Sequence, residues 1–318
     1  MAGEVPIRAG IDTYALYSEE TTYAEAVTPA SHFGIVQTVT PSQKNNLLQI
    51  RGFKGTTTGG RNMIKAQGGK FECGISVEFQ PQNFDHLEYV LGGTRTGSGT
   101  SGAPYVYPEG DTPASLTIGT TIDMGSTDAN IRYLGCVCNS YTLSCTQGEV
   151  VSFSAEFMGS NLAKSATLDT PVALSSDDVY VFVGGTIEWP TGSAIGSVID
   201  SAEISVTNNF EIFYGLGSRT GKVARAKARE YSLKFTLKMD RIDLFEDFLG
   251  DTTGPATYNP TRQATVKLKF ARNDDDYIEF VCAGVSIDEI ANAMSYGEVV
   301  NEEVTSIFES LTANEVQS

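Results

Sequence analysis

The sequence predicts a mainly β protein made of two tandem β-sandwich domains, each with a short flanking α-helix and a long loop. Three observations lead there. Apolar residues recur at every second position in several stretches, which sets one apolar row on one face of a sheet. One of these stretches returns 158 residues later without a gap. In both copies the period then changes, at the same point, from two to alternating threes and fours, the spacing of a helix with a single apolar stripe.

The composition agrees with sheet. Among 318 residues there are 32 glycines, and Thr, Ser, Val, Ile and Tyr dominate many segments. No apolar run nears the roughly 20 residues that span a bilayer. The opening MAGEVPIRAG lacks the charged-then-apolar order of a secretory signal, so the expectation is assembly in the cytoplasm with no membrane partner. A formal net charge of −17 opposes non-specific attraction to nucleic-acid phosphates and anionic lipid.

The first copy of the repeat, FECGISVEFQPQNFDHLEYVLG, runs from Phe71 to Gly92, and the second, REYSLKFTLKMDRIDLFEDFLG, from Arg229 to Gly250. Cys73, Ile75, Val77 and Phe79 fall on Tyr231, Leu233, Phe235 and Leu237, the sheet rows. Phe84, Leu87, Val90 and Leu91 fall on Ile242, Phe245, Phe248 and Leu249, the helix stripes. Pro81 stands before the first helix, Asp240 is placed to cap the second, and Gly92 and Gly250 end them alike. Later echoes keep the order: ASLTI at Ala114 to Ile118 with ATVKL at Ala264 to Leu268, and GEVV at Gly148 to Val151 and again at Gly297 to Val300. Collinearity makes duplication the reading, with a first domain over 1–170 and a second over 171–318. The seam falls in the small, polar stretch Ser160 to Asp178, and Val179 to Trp189 reads as the strand that opens the second half.

Enzyme chemistry finds little support. GxSxG, HExxH and GxxxxGK[ST] do not occur. GSGTSGAP, Gly97 to Pro104, follows a helix, where a phosphate cradle needs a strand before and a helix after, so it reads as a linker. Asp240, Asp243, Glu246 and Asp247 read as a solvated helix face, and Asp274, Asp275 and Asp276 as a hairpin turn. The five cysteines, Cys73, Cys136, Cys138, Cys145 and Cys282, form no CxxC pair. On one strand the α-carbons of Cys136 and Cys138 lie about 6.6 Å apart, which strains a disulfide. The two histidines, His32 and His86, are remote in sequence, so the reading is buried thiols, with no catalytic residues, metal or cofactor.

Charge is segregated. A polar segment precedes each repeated strand, Arg51 to Lys70 and Arg219 to Arg229, and carries Arg51, Lys54, Arg61, Lys65, Lys70, Arg219, Lys222, Arg225, Lys227 and Arg229. These are ten of the 22 basic residues, and neither segment holds an Asp or Glu, against 39 acidic residues elsewhere. Solvated loops are one explanation. Nucleic-acid contact is another, although Phe53 is the single aromatic there to stack on a base. The third is self-association, in which a basic arm meets the acidic body of another copy head to tail.

GIDTYALYSEETTYAEAVTPASHFGI near the start, the arm beginning RGFKGTTTGGR, KFECGISVEF leading into a short helix, and YLGCVCNSYTLSCTQGEVVSFSAEFMG occur in that order. Together they resemble the major tail tube proteins of long-tailed phages or archaeal viruses. The resemblance implies tail-tube-type sandwiches that form rings, stacked into a hollow conduit for viral DNA, with a β-barrel lining the lumen and the loop before the helix-bearing strand reaching a neighbouring ring. That role falls on Arg51 to Lys70 and, through the repeat, on Arg219 to Arg229. It further implies a place in the virion tail, other tail proteins at the tube ends, and DNA passing transiently through the lumen; the acidic body, read from the charge, predicts a lumen wall of negative potential. Single-domain subunits of the family are expected to close as six, so two domains per chain imply trimeric, pseudo-hexameric rings. A capsid decoration or adhesion module is the alternative, and a β-sandwich hydrolase a more distant one.

Overall fold

A computed structural model describes residues 13–317 apart from 53–62, 123–128, 166–168, 171, 191, 196–197, 240–241, 258–260, 295 and 297–298. The first half contributes β1 (Thr13–Glu19), β2 (Ser31–His32), β3 (Ile35–Lys44), β4 (Leu48–Ile50), β5 (Lys65–Gln67), β6 (Glu72–Gln80), α1 (Leu87–Leu91), β7 (Tyr105–Tyr107), β8 (Leu116–Ile122), β9 (Ala129–Thr146), β10 (Ser152–Gly159) and β11 (Asn161–Ser165). The second contributes β12 (Gly185–Glu188), β13 (Ile199–Thr207), β14 (Glu211–Tyr214), β15 (Gly221–Arg225), β16 (Glu230–Lys238), α2 (Asp243–Leu249), β17 (Arg262–Asn273), β18 (Asp276–Ala293), β19 (Asn301–Ile307) and β20 (Ser310–Val316). The protein is mainly β, and no helix among the described residues is long and apolar enough to cross a membrane.

Both halves follow one strand order. In the first, the chain of antiparallel pairs is β3, β6, β10, β9, β8, β1. In the second it is β13, β16, β19, β18, β17, β12. The repeated stretch supplies β6 and β16, nine residues each, and its two apolar rows are buried from Cys73 to Phe79 and from Tyr231 to Leu237. Burying a side chain such as Ile75 or Phe235 stabilises by roughly 1.5–3 kcal/mol. Each half also has one strand of 18 residues that bends at a left-handed glycine, Gly135 at φ 63° and Gly284 at φ 66°. A Cβ on Gly135 would stand 2.8 Å from Ser160 Oγ, so backbone angle and space both call for glycine. Before the bend β9 pairs with β11 and most of β8, which continues to Cys136, and after it with β10; β18 pairs with β20 and most of β17 before its bend, β17 continuing to Ser286, and with β19 after.

The halves are joined through the sheet. β13 pairs with the far part of β9, from Ser201 opposite Thr146 to Thr207 opposite Ser140, and β7 pairs with β20. At this joint the buried Glu315 carboxylate accepts hydrogen bonds from the Tyr107 hydroxyl (2.6 Å) and the Phe84 N–H (3.2 Å). Beneath it Phe79, Phe84, His86, Tyr141, Phe153 and Tyr180 form a continuous aromatic cluster. The five cysteines are free, buried thiols whose pKa burial raises, that of Cys145 to about 11.

Three local expectations need correction. Val179 to Trp189 is not one strand: Phe182–Gly184 is a 3₁₀ turn, and only Gly185–Glu188 is extended as β12. Gly184 passes so close to β17 that a Cβ would lie 1.8 Å from the Ala271 carbonyl oxygen, so the chain turns there before joining the sheet. The expected seam begins with a real strand, β11, laid against β9. In α1 the whole stripe of Phe84, Leu87, Val90 and Leu91 is buried, whereas in α2 Leu244 is the buried residue, Ile242 is exposed, and Phe245, Phe248 and Leu249 are only partly covered. The second half roofs α1, with Asn208 and Arg229 bonded to the Val90 and Leu91 carbonyls. Nothing equivalent among the described residues roofs α2. The helix starts at Asp243 after Ile242; Asp240, expected as its cap, lies outside the described residues.

Candidate functional site

Each half sends a two-stranded hairpin away from the sheet, β4–β5 between β3 and β6, and β14–β15 between β13 and β16. The chain leaves the sheet each time at an Asn-Asn pair whose second member is left-handed, Asn46 at φ 41° and Asn209 at φ 51°. Asparagine tolerates that region because its short amide bonds locally. These hairpins are the basic arms, but each starts earlier than the charge pattern indicates. The outgoing strands β4 and β14 expose Leu48, Ile50 and Phe213, and the second turn exposes Leu216 fully. LLQI and FEIF, sheet-like runs just ahead of the basic residues, were the available signal for a paired, partly apolar arm.

The ten cations do not stand alike. Arg51, Lys65, Lys222 and Arg225 are exposed on the arms, and none of them makes an ion pair among the described residues. Lys54 and Arg61 lie outside the described residues. Lys70 pairs with Glu72 and sits over the Tyr214 ring, and Lys227 pairs with Glu211 at 2.8 Å. Arg219 ties the arms together at their bases, donating from Nε to the Gly69 carbonyl (2.9 Å) and from Nη2 to Asn45 Oδ1 (2.8 Å). Arg229 is built into the joint. It donates to Asn208 Oδ1 (2.6 Å) and to the Leu91 (3.1 Å) and Gly110 (3.0 Å) carbonyls, at 15% side-chain exposure.

The sheet face opposite the apolar rows is polar and hydroxyl-rich. Across strands, Thr142 bonds Ser205 at 3.2 Å and Ser144 bonds Ser152 at 3.1 Å, while Glu78, Glu156, Glu203 and Glu303 share the surface with Lys234 and Lys238. Two corresponding edges remain open among the described residues: β3, at one end of the strand series, pairs with β6 alone, and the part of β18 beyond Ser286, inside the series, pairs with β19 alone.

Two carboxylates singled out from the sequence, Asp247 and Asp276, are engaged in the fold. Asp247 accepts from Trp189 Nε1 (2.9 Å) and Gln263 Nε2 (2.7 Å), pinning α2, and Asp276 pairs with Arg272 at 2.8 Å across the turn. Extended polar faces, projecting arms and open edges are surfaces for contact with other macromolecules. No curated protein matches the sequence. A family model described as phage tail tube protein matches residues 10–303, across both halves. The chain therefore belongs to the phage tail tube protein family and is a structural protein of the viral tail.

Proposed function

We propose that three copies of this chain close a ring of pseudo-sixfold symmetry, and that stacked rings form the hollow conduit through which viral DNA passes, with other tail proteins at its ends. The observation that carries the reading is the identical strand order of the halves, joined edge to edge through β13 and β9. A unit that meets its own repeat this way, with one open edge in each half, is suited to closure on further copies. Residues 1–170 and 171–318 are the two units. The hydroxyl-rich, carboxylate-bearing face lines the lumen, where like charge keeps contact with phosphates transient. Assembly takes place in the host cytoplasm. Electron cryomicroscopy of assembled tubes tests this: three chains per ring are expected, with that face inward, and six whole chains or a predominantly basic wall would overturn it.

Stacking uses the arms. Arg51, Lys65, Lys222 and Arg225, with Lys54 and Arg61, meet acidic surface on the next ring, and the exposed Leu48, Ile50, Phe213 and Leu216 add apolar contact. Single exposed pairs contribute about 0–1 kcal/mol, but every subunit in a ring repeats them. Lys65→Glu with Arg225→Glu is expected to shorten tubes and leave the melting temperature unchanged, and raised salt is expected to shorten wild-type tubes. Tubes of normal length from the double variant would count against the arms.

A further inference from the structure

The two open edges correspond, residue for residue, to the two edges already paired inside the chain. Strand pairing sets the alignment. Thr38 opposite Glu78 and Lys44 opposite Glu72 match Ser201 opposite Thr236 and Thr207 opposite Glu230, and both outer strands carry their register shift at the same place. Asn45 and Asn46 therefore stand where Asn208 and Asn209 stand. On the other side, Thr142 opposite Ser154 and Cys138 opposite Phe157 match Ala291 opposite Glu303 and Ile287 opposite Ser306, again with a shared register shift.

In the internal joint Asn208 is the fastening residue. It is buried, its Nδ2 donates to the Val90 carbonyl (3.0 Å) and the Cys138 carbonyl (2.9 Å), and its N–H donates to the Asn139 carbonyl (2.8 Å). Its Oδ1 is held by Arg229, and Asn139 Oδ1 accepts the Phe210 N–H at 2.9 Å. Asn45 is set up likewise and left waiting. An arginine, Arg219, holds its Oδ1, it is exposed, and no acceptor among the described residues meets its amide nitrogen.

Resting on the ring reading above, we infer that β3 of one copy pairs with the far part of β18 of the next, in the register of the internal joint, and that Asn45 fastens this seam. Asn45 Nδ2 then donates to the Phe248 and Ile287 carbonyls of the neighbouring copy, the counterparts of Val90 and Cys138. Asp288 replaces Asn139 and keeps a side-chain oxygen for the Leu47 N–H. Lys44 comes opposite Glu289, where the joint has Thr207 opposite Ser140, so the seam gains a pair of opposite charges; Lys44, Asp288 and Glu289 are all exposed in the single chain. The seam would also roof α2, as the joint roofs α1. Pro41 takes the place of Ile204 and has no N–H to donate, which leaves the seam one hydrogen bond weaker than the joint and suits an open edge.

The test uses full-length protein, with ring and tube formation followed by negative-stain imaging and sedimentation. Lys44→Glu and Glu289→Lys are each expected to raise the concentration needed for half-assembly by about tenfold or more, and the double exchange to restore it. Asn45→Ala is expected to impair ring closure, with melting temperature unchanged because the residue is exposed in the monomer. If wild-type protein forms no rings, the ring reading itself fails. If wild-type rings form and the single reversals assemble equally well, or the double exchange restores nothing, the ring stands and this register is overturned.

Discussion

Arg229→Ala is expected to lower the unfolding free energy by about 2–4 kcal/mol, the range for removing a largely buried charged group that satisfies several acceptors. The guanidinium spans both halves, bonding Asn208 in the second and the Leu91 and Gly110 carbonyls in the first. Its loss removes one of the two donors on the Leu91 carbonyl, leaving the Gly110 N–H (2.8 Å), and takes away the partner that aligns Asn208 Oδ1. Arg229→Lys is expected to recover little, since one ammonium cannot reproduce a planar fork aimed at four acceptors, the Tyr231 hydroxyl being the fourth. Arg225→Ala, on the exposed arm, is the control and is expected to change stability by less than about 0.5 kcal/mol. Equal denaturation midpoints for the Arg229 and Arg225 variants would show that the joint does not depend on this residue.

Acid should destabilise the fold through His86. The ring is buried among Phe79, Phe84, Tyr141 and Phe153, with Nε2 3.0 Å from the Tyr141 hydroxyl, and desolvation pushes its pKa down to about 3. The unfolded chain takes up this proton near pH 6.5, the folded one only near 3, so the contribution is complete above about 6.5 and is lost as pH falls. Within that window the expected slope is about 1.4 kcal/mol per pH unit. His32, lowered by burial, adds in the same sense, whereas Glu315, raised by burial, acts oppositely, its folded-state protonation favouring the fold at acid pH. Denaturation curves at pH 7 and pH 4.5 for wild type and His86→Leu provide the check. The variant starts less stable, having lost the Tyr141 partner, but should lose less between the two pH values. Parallel losses would assign the acid sensitivity to other groups.

The apolar rows of β6 and β16, and the ends of both helices at Gly92 and Gly250, were legible because alternation and left-handed termination are local chemistry that a short window of residues carries. The arms were legible as basic segments, yet their outgoing strands were not, because the charge run drew the boundary and LLQI and FEIF precede it. The Asn-Asn repeat stood in the sequence as KNNL and TNNF, but two residues in common gain meaning only once strand pairing aligns them.

The sequence by itself determined the mainly β class, the repeated strand-and-helix unit and the segregation of charge, all of which follow from periodicity and composition along the chain. Only the tertiary structure decided that Arg229 and Arg219 are structural cations while Arg225 and Lys65 stay exposed, that α1 is roofed and α2 is not, and that β13 closes on β9 while β3 stays open. The physical reason is that a residue's type limits what it can bond to, whereas its partner is chosen by strands far apart in sequence coming edge to edge. An arginine beside a free edge and an arginine locked into the joint between the halves read the same until that pairing is made.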